Sequence, residues 1–241
     1  MRVLYLSCHP HLRTASSAGY STHIRETVAA LRRRGHEVVP WIAGDRGAPA
    51  ADRVAERPPA VSWARRVVPG FAWQGLRDAA LVRHDVLLDP ELRDVIRRVS
   101  PDVMYERAAY LSGAGVRSAE RTGTPLVLEV NAPYVEERRN LHGAGMMEGA
   151  GRRWERRVVR GASRVVAVSS VLADRLAQTA GVPRDHIRVQ PNGVDVERFH
   201  AGVPSGRTES GIPDDAFVVG FVGSFIRWHR LEVLVEAVAR L

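Results

Sequence analysis

Cysteine and long apolar runs are nearly absent from this 241-residue sequence. Its single cysteine, Cys8, excludes a disulfide framework within the chain, which fits a reducing compartment. The opening segment MRVLYLSCHPHLR has only a short apolar run before His9 and Pro10, too short for the apolar core of a signal peptide. Nowhere do roughly 18 apolar residues follow one another, as a membrane-spanning helix requires. These absences predict a cytoplasmic chain that does not span a membrane.

Motifs that define several other classes of protein are also missing. The sequence has no zinc-finger spacing, no aromatic run typical of RNA-binding domains and no helix-turn-helix pattern, so we expect no nucleic-acid partner. The loop at 8–22 contains the single glycine Gly19, where a nicotinamide dinucleotide fold requires G-x-G-x-x-G, which argues against a dehydrogenase. His9 and His11 resemble a metal-binding pair, but no third ligand has a suitable spacing, and we expect no metal.

Basic residues outnumber acidic ones by 35 to 27 and come in bursts at 32–34, 65–66 and 151–160. Such surfaces suit phosphates or anionic lipid headgroups, and they predict peripheral contact with the inner face of a membrane. Solvated helix faces in an arginine-rich protein explain the same bursts. Composition leaves both interpretations of the basic bursts open. The apolar content of the chain, 45%, is ample for a hydrophobic core.

Strand-like and helix-like segments alternate along most of the chain. The segment 2–7 is a buried-strand pattern, the following helix places Ile24, Val28 and Leu31 on one face, and Gly35 closes it before the strand EVVPWI. The next unit starts with Asp89 as the predicted N-cap and Pro90 in the first turn, and it feeds a strand at 102–107; further units end near Asn131, near 168 and near 190. Because these strands are apolar throughout, we predict a doubly wound, Rossmann-like α/β fold with a parallel sheet.

Two stretches interrupt the alternation. Residues 45–88 are rich in Ala, Arg and Pro and predict a partly helical insertion, with Trp63, Phe71 and Trp73 as packing residues. Residues 196–216 are rich in Gly, Pro, Ser and charge and predict an interdomain linker. We therefore expect a first domain over 1–195 and the first strand and helix of a second domain over 217–241.

The residues at the carboxyl ends of the strands are the candidates for function, because ligands of open parallel sheets bind there. Gly19, just ahead of a helix, lets the backbone approach an anion, although a flexible turn explains it equally well. Glu106 and Arg107 end one strand, as a cleft feature or as a surface pair. The next strand leads through Glu129 to Asn131, where polar groups are costly unless they are paired or solvated.

Two further polar segments have an equally good structural explanation. VSS at 168–170 is able to cap the helix that follows it, and Asn192 with Gly193 forms a turn signal.

The ordered set of motifs resembles the family-4 glycosyltransferases, which have the two-domain GT-B fold. The motifs are RGHEVV, YERAAY, PLVLEVNAP, RVVAVSSVLADRL, VQPNGVDVERF and VVGFVGSFIRWHRLEVLVEA, and they run nearly from end to end. The resemblance implies an N-terminal acceptor domain and a C-terminal domain that binds a nucleotide-diphosphate sugar. It also implies transfer of the sugar with retention of configuration, without a metal or other cofactor.

The resemblance also assigns residues to the two substrates. On the donor side it implies Gly19, Asn192, Gly223, Ser224 and His229, with Ser224 and His229 standing where relatives often carry a basic pair that faces the diphosphate. The acceptor-side candidates are His23, Glu106, Arg107 and Asn131, and the acceptor is a sugar, a lipid-linked molecule or another small molecule.

The final segment resembles only the first strand and helix of the family's donor domain, so the sequence looks truncated. We expect this chain alone to be the acceptor half and to lack transfer activity. Two alternatives stay open, an acceptor-binding subunit that needs a second polypeptide and a GT-B nucleotide-sugar epimerase. The apolar residues of 217–241 predict contact with a partner chain or self-association.

Overall fold

The structure, a computed structural model, describes residues 1–16, 18–46, 70–143, 145–223, 225 and 229–240. The chain divides into two compact units, Met1–Gly193 and Val194–Leu241. The strands of the first unit are β1 (Arg2–Ser7), β2 (Glu37–Ile42), β3 (Val103–Arg107), β4 (Leu126–Val130), β5 (Arg164–Ala167) and β6 (Ile187–Val189). Its α-helices are α1 (Gly19–Arg33), α2 (Gly70–Leu87), α3 (Asp89–Val99), α4 (Ala114–Thr122), α5 (Tyr134–His142), α6 (Glu148–Gly161) and α7 (Ser170–Ala180).

The six strands form one parallel sheet in the order β2-β1-β3-β4-β5-β6. The short strands are apolar because helices cover both faces of the sheet. Leu4, Leu6 and Met104 face a large core shared with α3, α4, α6 and α7. Val3 and Tyr5, which alternate with them along β1, face a smaller core under α1. The predicted doubly wound, Rossmann-like fold is confirmed.

Helix α1 begins at Gly19 and ends before Gly35. Its Ile24 and Val28 are buried against β1 and β2, and Leu31 is partly buried against the same core, as the spacing predicts. Gly35 has a φ of +80°, the left-handed conformation in which glycine avoids the steric cost of a Cβ. The chain can therefore reverse at once into β2.

Helix α3 differs from its prediction in how it is capped. Leu88 holds the N-cap position and Asp89 is the first helical residue, so the predicted cap at Asp89 is wrong. The Asp89 carboxylate instead pairs with Arg117 at 2.8 Å and with Arg121 at 2.6 Å, both on α4. An ion pair to the neighbouring helix has replaced the local cap, and it ties the start of α3 to α4.

Ser169, by contrast, caps α7 as predicted, because its Oγ accepts a hydrogen bond from Leu172 N at 3.2 Å.

The predicted insertion at 45–88 contains helix α2, while Trp63 and the basic pair at 65–66 lie outside the described residues. Phe71 is 56% exposed, so it does not pack as predicted, and Trp73 is half-buried.

In the second unit, helix α8 (Leu231–Val238) is formed, but the strand predicted at 217–222 is not. A strand needs a hydrogen-bonded neighbour, and the described residues of this unit form no other strand beside it. Helix α8 buries none of its side chains among the described residues. The functions assigned to the domains, and the boundaries at 195 and 216, remain predictions.

Candidate functional site

A polar cluster at the carboxyl edge of the sheet is built around the Glu129 carboxylate, which is 3% exposed. His23 Nε2 lies 2.6 Å from Glu129 Oε1, and Arg107 Nη1 donates to the same oxygen at 3.1 Å. Tyr105 Oη donates to Oε2 at 2.8 Å, and Asn131 Nδ2 donates to Oε1. Four donors, from helix α1, strand β3 and the loop after β4, therefore converge on one carboxylate. We call these five residues the Glu129 cluster.

The register of the sheet explains why the cluster forms. Arg107 on β3 stands directly opposite Glu129 on β4, and Tyr105 lies two residues earlier on the same face. Helix α1 packs on that face and brings His23 to it from the first turns of the helix. The Tyr105 ring is held in place because it stacks on the ring of Tyr5, with 5.5 Å between the ring centroids.

The cluster keeps Glu129 ionised. Burial by itself would raise the pKa of Glu129, but the contacts from His23 and Asn131 and the charge of Arg107 outweigh it and hold the pKa below its usual range. Burial and the nearby Glu129 carboxylate raise the pKa of Tyr105, so its hydroxyl remains a hydrogen-bond donor. A carboxylate that binds its proton so weakly is a poor general base near neutral pH, and Glu129 is better placed to position its neighbours.

Two members of the cluster retain groups that a ligand could use. The Oδ1 of Asn131 is buried and accepts no hydrogen bond within the described part of the chain. The side chain of His23 is 24% exposed, which makes it more accessible than Arg107 at 14%. At this edge the described residues therefore include an unpaired acceptor in Asn131 and a partly exposed imidazole in His23. The arrangement suits recognition of a polyhydroxylated molecule.

Glu106 does not join the cluster, although the sequence places it beside Arg107. Its side chain points to the opposite face of the sheet and is 0% exposed, so it is not a surface partner of Arg107. Neither carboxylate oxygen has a hydrogen-bond partner among the described residues. Burial, and the charge of Asp85, raise the pKa of Glu106 to about 8. Glu106 is a protonated core residue near neutral pH.

Gly19 lies at the N-terminus of α1, as expected. The N-cap residue is Ala18, whose side chain cannot accept a hydrogen bond from the first turn, and no side-chain cap is formed among the described residues. A Cβ at Gly19 would meet no described atom within 4 Å, so there is space beside this residue. The backbone N–H groups of the first turn and the helix dipole favour an anion there.

The remaining donor-side candidates are spread over both units. Asn192 is exposed in the segment after β6, where no turn is formed at Asn192–Gly193, contrary to the turn signal. Gly223 and His229 lie close together in the second unit, because a Cβ at Gly223 would be 3.4 Å from His229 Cε1. The His229 ring packs edge-on against Phe221 at 5.5 Å. Ser224 lies outside the described residues.

Tyr105 is absent from the site candidates drawn from the sequence, and Glu129 enters there only as a polar residue near a strand end. A signal for both exists in the period of a strand, since Tyr105 and Arg107 share one face and Glu129 ends the adjacent strand. That reasoning also requires the order of the strands, which the sequence does not give.

The described residues lack two further features. Within them, no group of three or more His, Cys, Asp and Glu side chains is arranged to hold a metal ion. None of their helices combines the length and the apolar character needed to cross a bilayer.

The fold is an open parallel α/β sheet with polar residues at its carboxyl edge, and in sheets of this class ligands bind at the carboxyl ends of the strands. The family model described as Glycosyltransferase Family 4 matches residues 17–198. The chain therefore belongs to glycosyltransferase family 4.

Relatives of known name agree with this assignment. A D-inositol 3-phosphate glycosyltransferase of Stackebrandtia nassauensis is 30% identical, over 95% of this chain and 52% of the relative. An enzyme of the same name from Actinosynnema mirum is also 30% identical, over 100% of this chain and 59% of the relative. The chain thus spans between half and three-fifths of the length of these two proteins.

Solved structures show the same fold at low sequence identity. Sucrose-phosphate synthase from Thermosynechococcus elongatus superposes with a TM-score of 0.69 at 16% identity, over 100% of this chain and 60% of that protein. Anabaena Alr3699/HepE, solved in complex with UDP and glucose, superposes with a TM-score of 0.55 at 18% identity, over 100% of this chain and 58% of that protein. The first unit is thus the Rossmann-like half of a GT-B fold.

Proposed function

We propose that this chain supplies the acceptor-binding half of a retaining glycosyltransferase, which moves a sugar from a nucleotide-diphosphate sugar to an acceptor. The Glu129 cluster carries the proposal. It holds Arg107, Asn131 and His23 in fixed positions at the carboxyl edge, where a parallel α/β sheet binds its ligand. Such preorganisation lowers the entropy cost of binding a small polar acceptor.

The acceptor in this proposal is a phosphorylated polyol. The relatives above are named for D-inositol 3-phosphate, and the cluster presents the groups that recognise hydroxyls, an amide oxygen and an imidazole. The donor is a nucleotide-diphosphate sugar, as the resemblance implies, and one of the structural neighbours was solved with UDP and glucose. In this proposal the N-terminus of α1 at Gly19 binds charged groups of the donor. Asn192, Gly223, Ser224 and His229 remain donor-side candidates, as the resemblance implies.

Acceptor binding tests the proposal directly, because it does not require transfer. D-inositol 3-phosphate should bind this chain in calorimetry, and Asn131→Ala should weaken binding roughly three- to tenfold, the value of one lost hydrogen bond. Asn140→Ala is the matched control, since Asn140 is an exposed asparagine on α5. Equal binding by the parent and Asn131→Ala would remove the cluster from acceptor recognition.

Transfer tests the remainder of the proposal. We expect no turnover of a nucleotide sugar by these 241 residues alone, and transfer with retained anomeric configuration when a donor-domain polypeptide is added. The configuration is read by proton NMR of the product. Turnover by the chain alone, an inverted product, or conversion of the nucleotide sugar without any acceptor would each contradict it, and the last outcome would identify an epimerase.

A further inference from the structure

The outer face of helix α6 carries a groove lined by arginines. A spacing of three and four residues places four guanidinium groups on one side of the helix. The groove has a volume of about 350 Å³, and it is lined by Arg153, Arg156, Arg157, Arg160, Glu120 and Gly161. The opposite side of α6 is buried, with Val158 and Val159 in the core.

Positive charge in this groove is only partly balanced. Glu120 pairs with Arg157 at 2.6 Å, but both side chains are largely exposed, at 41% and 62%, so the pair is weak. Arg160 donates to the backbone carbonyl of Ala180. Within the described residues, neither Arg153 nor Arg156 forms an ion pair. Burial raises the pKa of the neighbouring Glu155 to about 7, and the charge of Arg156 opposes this only weakly. Four cations therefore share one acidic residue in the lining.

The groove is separate from the Glu129 cluster. A helix that precedes a parallel strand runs against the direction of the strands, so the second half of α6 points towards the amino edge of the sheet. Glu120 lies in the last turns of α4, which ends at the same edge before β4. The Glu129 cluster lies at the carboxyl edge, so one ligand of acceptor size does not reach both places.

We propose that this groove is a binding site for a phosphate-bearing anion with at least two negative charges, such as a diphosphate group. The planar guanidinium group donates paired hydrogen bonds that match the oxygens of a phosphate. Crowded cations repel each other, and a multiply charged anion relieves that repulsion. The volume suits a small molecule or a lipid headgroup rather than a single ion. The shared chemistry is the phosphate, and its source is either a free molecule or a membrane lipid.

The test compares two double variants of the chain at low ionic strength, where such contacts are strongest. Arg153→Gln with Arg156→Gln removes two charges from the groove, and Arg33→Gln with Arg34→Gln removes two exposed charges at the end of α1. The probes are inorganic pyrophosphate in calorimetry and vesicles of phosphatidylcholine, with or without phosphatidylglycerol, in co-sedimentation. Circular dichroism verifies that each variant is folded.

We expect the groove variant to weaken binding of at least one probe tenfold or more, and the control variant to change it less than twofold. Loss of pyrophosphate binding identifies a free phosphate compound, whereas loss of binding to anionic vesicles alone identifies a lipid headgroup. Failure of both probes to bind, or equal losses in the two variants, overturns the site. Tighter binding of short duplex DNA than of either probe also overturns it.

A further variant, Glu120→Gln, should strengthen anion binding instead of weakening it. It removes the one acidic residue of the lining and releases Arg157, so the affinity for the probe that binds should rise about two- to fivefold. Glu26→Gln on the exposed face of α1 is the control and should leave the affinity unchanged. An unchanged or lower affinity of Glu120→Gln would contradict a site governed by this charge.

Discussion

Glu106 and Glu129 are the next-to-last residues of neighbouring strands in one parallel sheet, and both are buried, yet their surroundings are opposite. Glu129 is met by four donor groups, which keep it ionised and hold its pKa below the usual range although burial opposes this. Glu106 has no hydrogen-bond partner among the described residues, and burial raises its pKa to about 8. Burial alone thus does not determine the charge of a carboxylate. The donors on the facing elements determine it.

The two carboxylates differ in surroundings because neighbouring residues of strand β3 point to opposite faces of the sheet. Arg107 stands opposite Glu129, so its side chain lies on the same face, while Glu106 lies one residue earlier and points to the other face. On that side Gly115 of α4 comes so close that a Cβ there would lie 2.0 Å from Glu106 Oε2. One carboxylate therefore organises the candidate site, and the other is a packing element of the core.

Removing Glu129 should have the largest effect on stability. Glu129→Leu leaves Arg107 and His23 without their buried partner, and we expect the free energy of unfolding to fall by about 3–5 kcal/mol in urea denaturation. Glu26→Leu, at an exposed position of α1, should change it by less than about 0.5 kcal/mol. A loss below about 1 kcal/mol for Glu129→Leu would show that the cluster contributes little to the fold.

The two carboxylates should also give opposite dependences on pH. Glu106 has a raised pKa, so the folded chain keeps its proton where the unfolded chain has lost it, and stability falls as pH rises from the unfolded pKa of 4.5 towards about 8. Glu129 has a lowered pKa, so its contribution is present above the unfolded pKa and is lost as pH falls through the folded pKa.

Glu106→Gln isolates the first of these effects. Relative to this variant, the parent should lose about 1.4 kcal/mol of unfolding free energy per pH unit between pH 6 and pH 7, and less per unit as the pH approaches the folded pKa of about 8. Denaturation curves at several pH values measure the difference. Parallel pH profiles for the parent and Glu106→Gln would mean that Glu106 does not hold its proton in this range.

A smaller effect on stability is expected where Gly115 lies against the Glu106 carboxylate. Gly115→Ala should destabilise the chain by about 2 kcal/mol, because the added methyl group displaces a carboxylate that is packed in the core. Glu106→Ala in the same chain should recover part of that loss in a double-mutant cycle. Gly19→Ala is the control, since its Cβ would meet nothing within 4 Å. Additive losses for Gly115→Ala and Glu106→Ala would rule out the contact between them.

The smallest expected effect is a difference in unfolding free energy between substitutions of two stacked tyrosines, Tyr105 and Tyr5. Tyr105→Phe removes a hydrogen bond to an ionised carboxylate and should cost about 1.5 kcal/mol of unfolding free energy. Tyr5→Phe removes a buried hydroxyl that has no partner among the described residues, so it should be neutral or slightly stabilising. Equal costs for the two substitutions in matched denaturation experiments would contradict the assignment of the Glu129 hydrogen bond.

Much of the fold could be predicted from local patterns. The apolar runs of the strands, the period of Ile24 and Val28, the glycine at the end of α1 and the cap at Ser169 each depend on neighbours in the sequence. Predictions failed where a distant group changed the local preference. Asp89 binds arginines of another helix instead of capping its own, and residues 217–222 find no partner strand among the described residues.

The sequence by itself determined that strands and helices alternate, and it placed Arg107 and Asn131 at strand ends, because the periods of two and 3.6 residues are local properties of the chain. Only the tertiary structure decided which polar residues meet. Sheet order placed β3 beside β4, and the packing of α1 brought His23 to Glu129, while the pleat turned Glu106 away. The charge of each carboxylate follows from these contacts, since protonation depends on the donors and the solvent that surround a group in space.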